Sequence, residues 1–64
     1  MDDSRRQYQE LRSTLTRRLH ILELQAAKYG IAAPPHVVIE IEDLRKEIAE
    51  LDRTMLDLQA RLAR

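Results

Sequence analysis

From Val37 onward, apolar residues recur by alternating steps of four and three without a miss: Val37, Ile41, Leu44, Ile48, Leu51, Met55, Leu58 and Leu62. A stripe with that period runs along one side of an α-helix; it cannot be one side of a strand, where facing residues recur at every second position. With Ile41, Ile48, Met55 and Leu62 at a and Val37, Leu44, Leu51 and Leu58 at d, it reads as a heptad seam, which keeps one apolar edge turned toward another helix. The first half of the chain supplies that second helix. Tyr8, Leu11, Leu15, Leu19, Leu22, Ala26 and Tyr29 form a stripe of their own. The two four-residue steps from Leu11 to Leu19 create an eleven-residue spacing between Tyr8 and Leu19, which predicts a local relaxation of the left-handed supercoil.

Between the stripes lies the chain's punctuation. Gly30 is the only glycine, and Ile31-Ala32-Ala33 leads from it to Pro34-Pro35. A glycine directly after a helical run fits the C′ position, where the left-handed region is free of a Cβ clash, and Ile31 would supply the apolar C″ contact. Pro35 suits the first turn of a second helix, where a missing N–H costs nothing. Acidic Glu40, Glu42 and Asp43 stand near that positive end. Ser4 and Gln7 have capping-box spacing, with Asp2 and Asp3 adding negative charge at the first N-terminus. The expected division is helix 1 over about 4–29, a turn over 30–34 and helix 2 over about 35–64. His36 reads as a turn histidine, able to cap the last carbonyls of helix 1 or to respond to pH; His20 reads as a surface residue.

So short a connection forces the helices antiparallel. Folding them together pairs Tyr29 with Val37, Ala26 with Ile41, Leu22 with Leu44, Leu19 with Ile48, Leu15 with Leu51, Leu11 with Met55 and Tyr8 with Leu58. One register satisfies both stripes. The expected fold class is therefore all-α, an antiparallel two-helix coiled-coil hairpin. The first helix holds six basic residues (Arg5, Arg6, Arg12, Arg17, Arg18, Lys28) against four acidic ones (Asp2, Asp3, Glu10, Glu23). The second holds five (Arg45, Lys46, Arg53, Arg61, Arg64) against seven (Glu40, Glu42, Asp43, Glu47, Glu50, Asp52, Asp57). This imbalance favours unlike helices as neighbours, in cis or in trans. Glu42 with Lys46 and Asp57 with Arg61 have the spacing of i,i+4 ion pairs.

Ile21, Leu24, Val38, Ile39 and Leu56 fall outside the single seam and would stay wet in a lone hairpin. The chain has 64 residues and no cysteine, Trp or Phe, so neither a disulfide nor bulky core side chains can reinforce so small a fold. Self-association into a helical bundle follows as the expectation, with dimer and tetramer both open and the seam residues doubling as interface. The surplus apolar residues could instead dock on another domain of a longer protein. Helix 2 is still periodic at Leu58 and Leu62 and meets Arg64 without a glycine or proline, so a continuing chain is expected.

The composition also excludes functions. Eleven basic residues balance eleven acidic ones, leaving no net field to draw nucleic acid or membrane. No apolar run approaches the roughly 20 residues of a bilayer span, and the acidic start is unlike a secretory signal, so a cytoplasmic location is expected. There is no glycine-rich phosphate loop, metal-spaced His/Cys set or nucleophile–base pair. No catalytic residue, cofactor or metal is therefore expected.

Three resemblances attach to particular residues. Leu44 through Leu56 is similar to the first helix of all-helical chorismate mutases, mainly at seam positions. This chain departs from them where Ala49 replaces an Asp, Gln59 a Leu and Leu62 the substrate-binding Arg, so the resemblance carries no activity over. The hairpin length, with Arg5, Arg6, Arg12, Arg17 and Arg18 on helix 1, resembles a Rop-like RNA-binding protein that dimerises into a four-helix bundle. The run Leu24 to Leu44, above all Tyr29-Gly30, Pro34-Pro35-His36 and Glu40-Ile41-Glu42-Asp43-Leu44, resembles a short helical-hairpin module of bacterial conflict and signalling proteins. There it accompanies NLR-like STAND NTPases and effector domains such as TIR and caspase-like proteases. That resemblance implies a non-enzymatic N-terminal adaptor whose partners are itself and the NTPase and effector domains of its parent protein.

Overall fold

A computed structural model describes residues 2–63. Helix α1 spans Asp2–Tyr29, a 3-10 turn spans Gly30–Ala32, and α2 spans Pro35–Leu62. The fold is all-α, a helical hairpin 49 Å long and 17 Å by 13 Å across the Cα trace. Cross-links between Arg12 and Asp52 and between Glu23 and Arg45 show the helices running antiparallel.

Gly30 makes the reversal possible. Its φ of +59° is the only positive value in the described backbone. Such a conformation crowds the Cβ of any L-residue, which glycine lacks. The Ala33 N–H then donates to the Gly30 carbonyl at 3.2 Å, closing the turn. Pro34 adopts extended angles as the N-cap of α2 and leaves Pro35 at the first helical position. The Pro34 carbonyl accepts from Val37 N–H at 3.0 Å and Val38 N–H at 3.3 Å, so the second helix is closed by backbone alone.

Several sequence expectations change here. Ser4 already lies within α1, which begins at Asp2, so it does not sit at the boundary that a capping box requires. Ile31 makes no C″ contact: it is fully in water, because the 3-10 turn carries it away from the helices. Asp57 and Arg61 pair at 3.2 Å, whereas no ion pair forms between Glu42 and Lys46. The expected end of helix 2 at Arg64 lies outside the described residues.

The core lies near the turn. Among the described residues Val37, Ile41 and Leu44 are buried, all within the first three turns of α2. Leu15, Leu19, Leu22 and Ala26 of α1 and Ile48, Leu51 and Met55 of α2 are half-buried along the same junction. Four seam residues depart from the expectation: Leu11, Tyr29, Leu58 and Leu62 are exposed, Leu62 by 80%. Leu62 is the last residue of α2. The eleven-residue spacing from Tyr8 to Leu19 turns Leu11 to the edge of the junction, and the neighbouring Arg12 is half-buried and reaches across to Asp52. Tyr29 is the last residue of α1, next to the turn, and Leu58 lies near the far end of α2.

Candidate functional site

The hairpin has two unlike flanks, and one-residue offsets from the seam decide which side chains line each. Arg45 and Asp52 follow Leu44 and Leu51 by one position, whereas Asp43 and Glu50 precede them by one. Each step rotates a side chain by about 100° around the helix, so the two pairs stand on opposite sides of the seam. On α1, Arg12 and Glu23 lie toward Asp52 and Arg45, and Leu11 and Arg18 lie toward the other side.

The first flank is bridged. Asp52 Oδ1 accepts from the Tyr8 hydroxyl at 2.6 Å and from Arg12 Nε at 2.9 Å, while Oδ2 accepts from an Arg12 terminal nitrogen at 3.2 Å. This bidentate geometry is the stronger form of an arginine–carboxylate pair. Hydrogen bonds from Arg12 and then from Tyr8 hold the Asp52 carboxyl below the usual carboxylate range. The same contact raises Tyr8, whose neutral hydroxyl is the donor to Asp52, and it raises Arg12, whose cation the carboxylate favours. Nearer the turn, Arg45 donates to Glu23 at 2.8 Å. Both of those side chains are well exposed, so their bridge contributes little to stability beyond fixing the flank.

The second flank is open. One shallow groove is lined by Arg18, Glu40, Asp43, Leu44 and Glu47. A second, farther from the turn, is lined by Leu11, Leu15, Glu47, Glu50, Leu51 and Thr54. The Thr54 hydroxyl donates to the Glu50 carbonyl at 2.9 Å, spending its polar group on its own helix. Leucines therefore form much of the floor, and α2 supplies an acidic wall. Among the described residues, Glu40, Asp43, Glu47 and Glu50 make no ion pair, and neither does Arg18.

The residues expected as additional contacts, Ile21, Leu24, Val38, Ile39 and Leu56, are all exposed, with values from 41% to 66%. Val38 and Leu56 stand on the bridged flank. Leu24 and Ile39 point away from the helix junction, and Ile21 lies between the outer face of α1 and the open flank. They do not form one patch. Gly30 opens the turn, Pro34 and Pro35 lead into α2, and His36 is exposed at the second position of α2. No group of three or more potential metal ligands occurs among the described residues. No helix there is long and apolar enough to cross a membrane.

In the sequence Arg12 falls on a basic face, and Glu23, Arg45 and Asp52 have no evident role across the hairpin. The available signal was positional: Glu23 and Arg45 each follow a member of the Leu22–Leu44 pair, and Arg12 lies one turn before Thr16, the counterpart of Asp52. No protein-family model, curated protein or solved structure matches the chain.

Proposed function

We propose that the chain is a non-enzymatic oligomerisation and signalling hairpin of the cytoplasm. In this reading it self-associates through its helices and couples sensor NTPase and effector domains in a bacterial immune-like, NLR-like protein. The observation that carries the self-association is the mismatch between apolar content and burial. Hydrophobic residues make up 44% of the chain, yet among the described residues Val37, Ile41 and Leu44 are the buried ones, while Leu11, Leu56, Leu58 and Leu62 are exposed along its length. Covering such side chains releases ordered water and supplies the driving force that a lone hairpin lacks. The resemblance around Tyr29-Gly30 and Pro34-Pro35-His36 supports the narrower assignment to a conflict-system adaptor.

The Rop-like RNA-binding alternative draws less support, because its basic face is partly spent. Arg12 is committed to Asp52 and Arg6 to Asp3 at 2.9 Å, and each cation paired within the protein is one fewer for phosphate. Sedimentation equilibrium over a wide concentration range tests self-association directly. The expected result is a mass above that of one chain; a folded monomer at the highest concentration would overturn it. Fusion of the hairpin to a reporter that is active only as a dimer tests the coupling role: activation is expected, and an inert fusion of an otherwise oligomeric hairpin would reject it.

A further inference from the structure

The open flank is polarised in a way that selects both an occupant and its orientation. Its α2 wall carries Glu40, Asp43, Glu47 and Glu50, unpaired among the described residues, and its α1 edge carries Leu11, Arg18 and Gln25 at seven-residue intervals. We propose that a second copy of the chain docks face to face on this flank with both turns at the same end, so that α1 of each copy lies over α2 of the other. This inference rests on the self-association reading above and adds the face, the orientation and the contacts.

Symmetry leaves two ways of stacking identical hairpins on the same face. With the turns at opposite ends, α1 meets α1 and α2 meets α2. The two acidic walls then face each other, with Arg18 the one cation among the residues lining each copy's grooves, and like charges brought together at an interface oppose binding. With the turns together, the two-fold axis runs along the helices and places α1 of one copy antiparallel to α2 of the other. The levels are then those already found within the hairpin. Within the hairpin Arg18 lines one groove with Glu40, Asp43 and Glu47, so Arg18 of the second copy arrives at the level of those carboxylates. Leu11 of the second copy arrives at the level of Glu50, Leu51 and Thr54, with which it lines a groove in its own chain. An exposed leucine gains cover and an unpaired guanidinium gains carboxylates in the same act.

The dimensions agree. A stable interface takes about 800 Å² from each partner, and a hairpin face of 49 Å by 17 Å is about that size. The bridged flank is less suited, since its Tyr8–Asp52–Arg12 and Glu23–Arg45 groups are already satisfied within the chain.

Two measurements on the full 64-residue chain test the proposal. The first uses opposed charge reversals, Arg18→Glu and Glu47→Arg, examined singly and mixed. Each variant alone is expected to dimerise roughly tenfold or more weakly than wild type. An equimolar mixture is expected to recover dimer, because the carboxylate introduced at position 18 of one copy then meets the guanidinium introduced at position 47 of the other. Helical circular dichroism of each variant establishes that the hairpin is still formed. If both variants retain wild-type mass at every concentration, the open flank is not the interface.

The second measurement places a spin label on Ala32→Cys at the exposed turn, in a chain that has no other cysteine. Turns at one end give a short label-to-label distance, whereas opposed turns are separated by nearly the 49 Å length of the hairpin. An oligomer with long turn-to-turn distances overturns the proposed orientation and leaves self-association standing. A monomer at all concentrations overturns both.

Discussion

The Tyr8 hydroxyl donates to Asp52 Oδ1 at 2.6 Å, and the same oxygen accepts from Arg12 Nε at 2.9 Å. One carboxylate of α2 thus gathers two side chains one turn apart on α1. The bridge sits in the half of the hairpin away from the turn, where none of the described residues is buried. Directional polar contacts there do what apolar packing does near Val37, Ile41 and Leu44.

Asp52→Asn is expected to lower the urea midpoint more than Tyr8→Phe. The amide loses the charge that Arg12 pairs with, whereas the phenylalanine leaves the Arg12–Asp52 fork in place. Because the Tyr8 hydrogen bond depends on the same oxygen, the double variant should fall short of the sum of its parts. A complete double-mutant cycle by urea unfolding checks this, and additive effects would show that Tyr8 and Asp52 act independently.

Stability should have a plateau limited at both ends of the pH scale by this bridge. Asp52 titrates lower in the fold than in the unfolded chain, so its contribution is complete above about pH 4 and is lost as pH falls through the depressed folded value. Tyr8 titrates higher in the fold, so its contribution is complete below about pH 10 and is lost as pH rises through the raised folded value. Thermal melts across that range, repeated on Asp52→Asn, provide the measurement. The variant should lose both the Asp52-dependent acid limb and the Tyr8-dependent part of the alkaline limb; unchanged limbs would detach the bridge from the pH response.

How far the sequence reveals this arrangement depends on whether a contact follows from periodicity alone. The α2 stripe and the Gly30–Pro35 interruption carry the hairpin plainly, because helical period and left-handed glycine are local properties. Leu11 shows where local reading stops: it belongs to the stripe by spacing, yet the consecutive fours on α1 rotate it outward and bring Arg12 in. The Asp52 bridge was hidden for a related reason. Arg12 lies about one turn and Tyr8 about two turns from Thr16, the seam counterpart of Asp52, and only the long reach of tyrosine and arginine closes that distance. The unlike flanks become visible once the one-residue offsets from Leu44 and Leu51 are placed on packed helices.

Gly30→Ala should cost about 1 kcal/mol through backbone conformation alone. A Cβ at Gly30 meets nothing within 4 Å, while φ is +59°, so no clash contributes. The same position made as D-alanine by chemical synthesis should be neutral or stabilising, since its preferred φ is positive and the unfolded chain has less freedom to lose. Comparison of the two alanine enantiomers by urea unfolding separates strain from space. Equal destabilisation by both would exclude a conformational origin.

The concentration of burial beside the turn predicts a gradient of sensitivity along α2. Leu44→Ala removes a side chain that is 6% exposed and should cost about 2–3 kcal/mol, toward the lower end for a buried leucine because two helices can close over part of the cavity. Leu62→Ala alters a side chain that is 80% exposed and should stay within about 0.5 kcal/mol. Hydrogen exchange should follow the same course, with slow amides around Val37–Leu44 and fast ones toward Leu62, since local opening is easiest where few apolar contacts must be broken. If self-association covers Leu62, its alanine variant will instead become costly with rising protein concentration. Measuring both variants at two concentrations separates the hairpin's own core from the surface that a second copy adds, and equal costs for Leu44 and Leu62 in the monomer would refute a core centred at the turn.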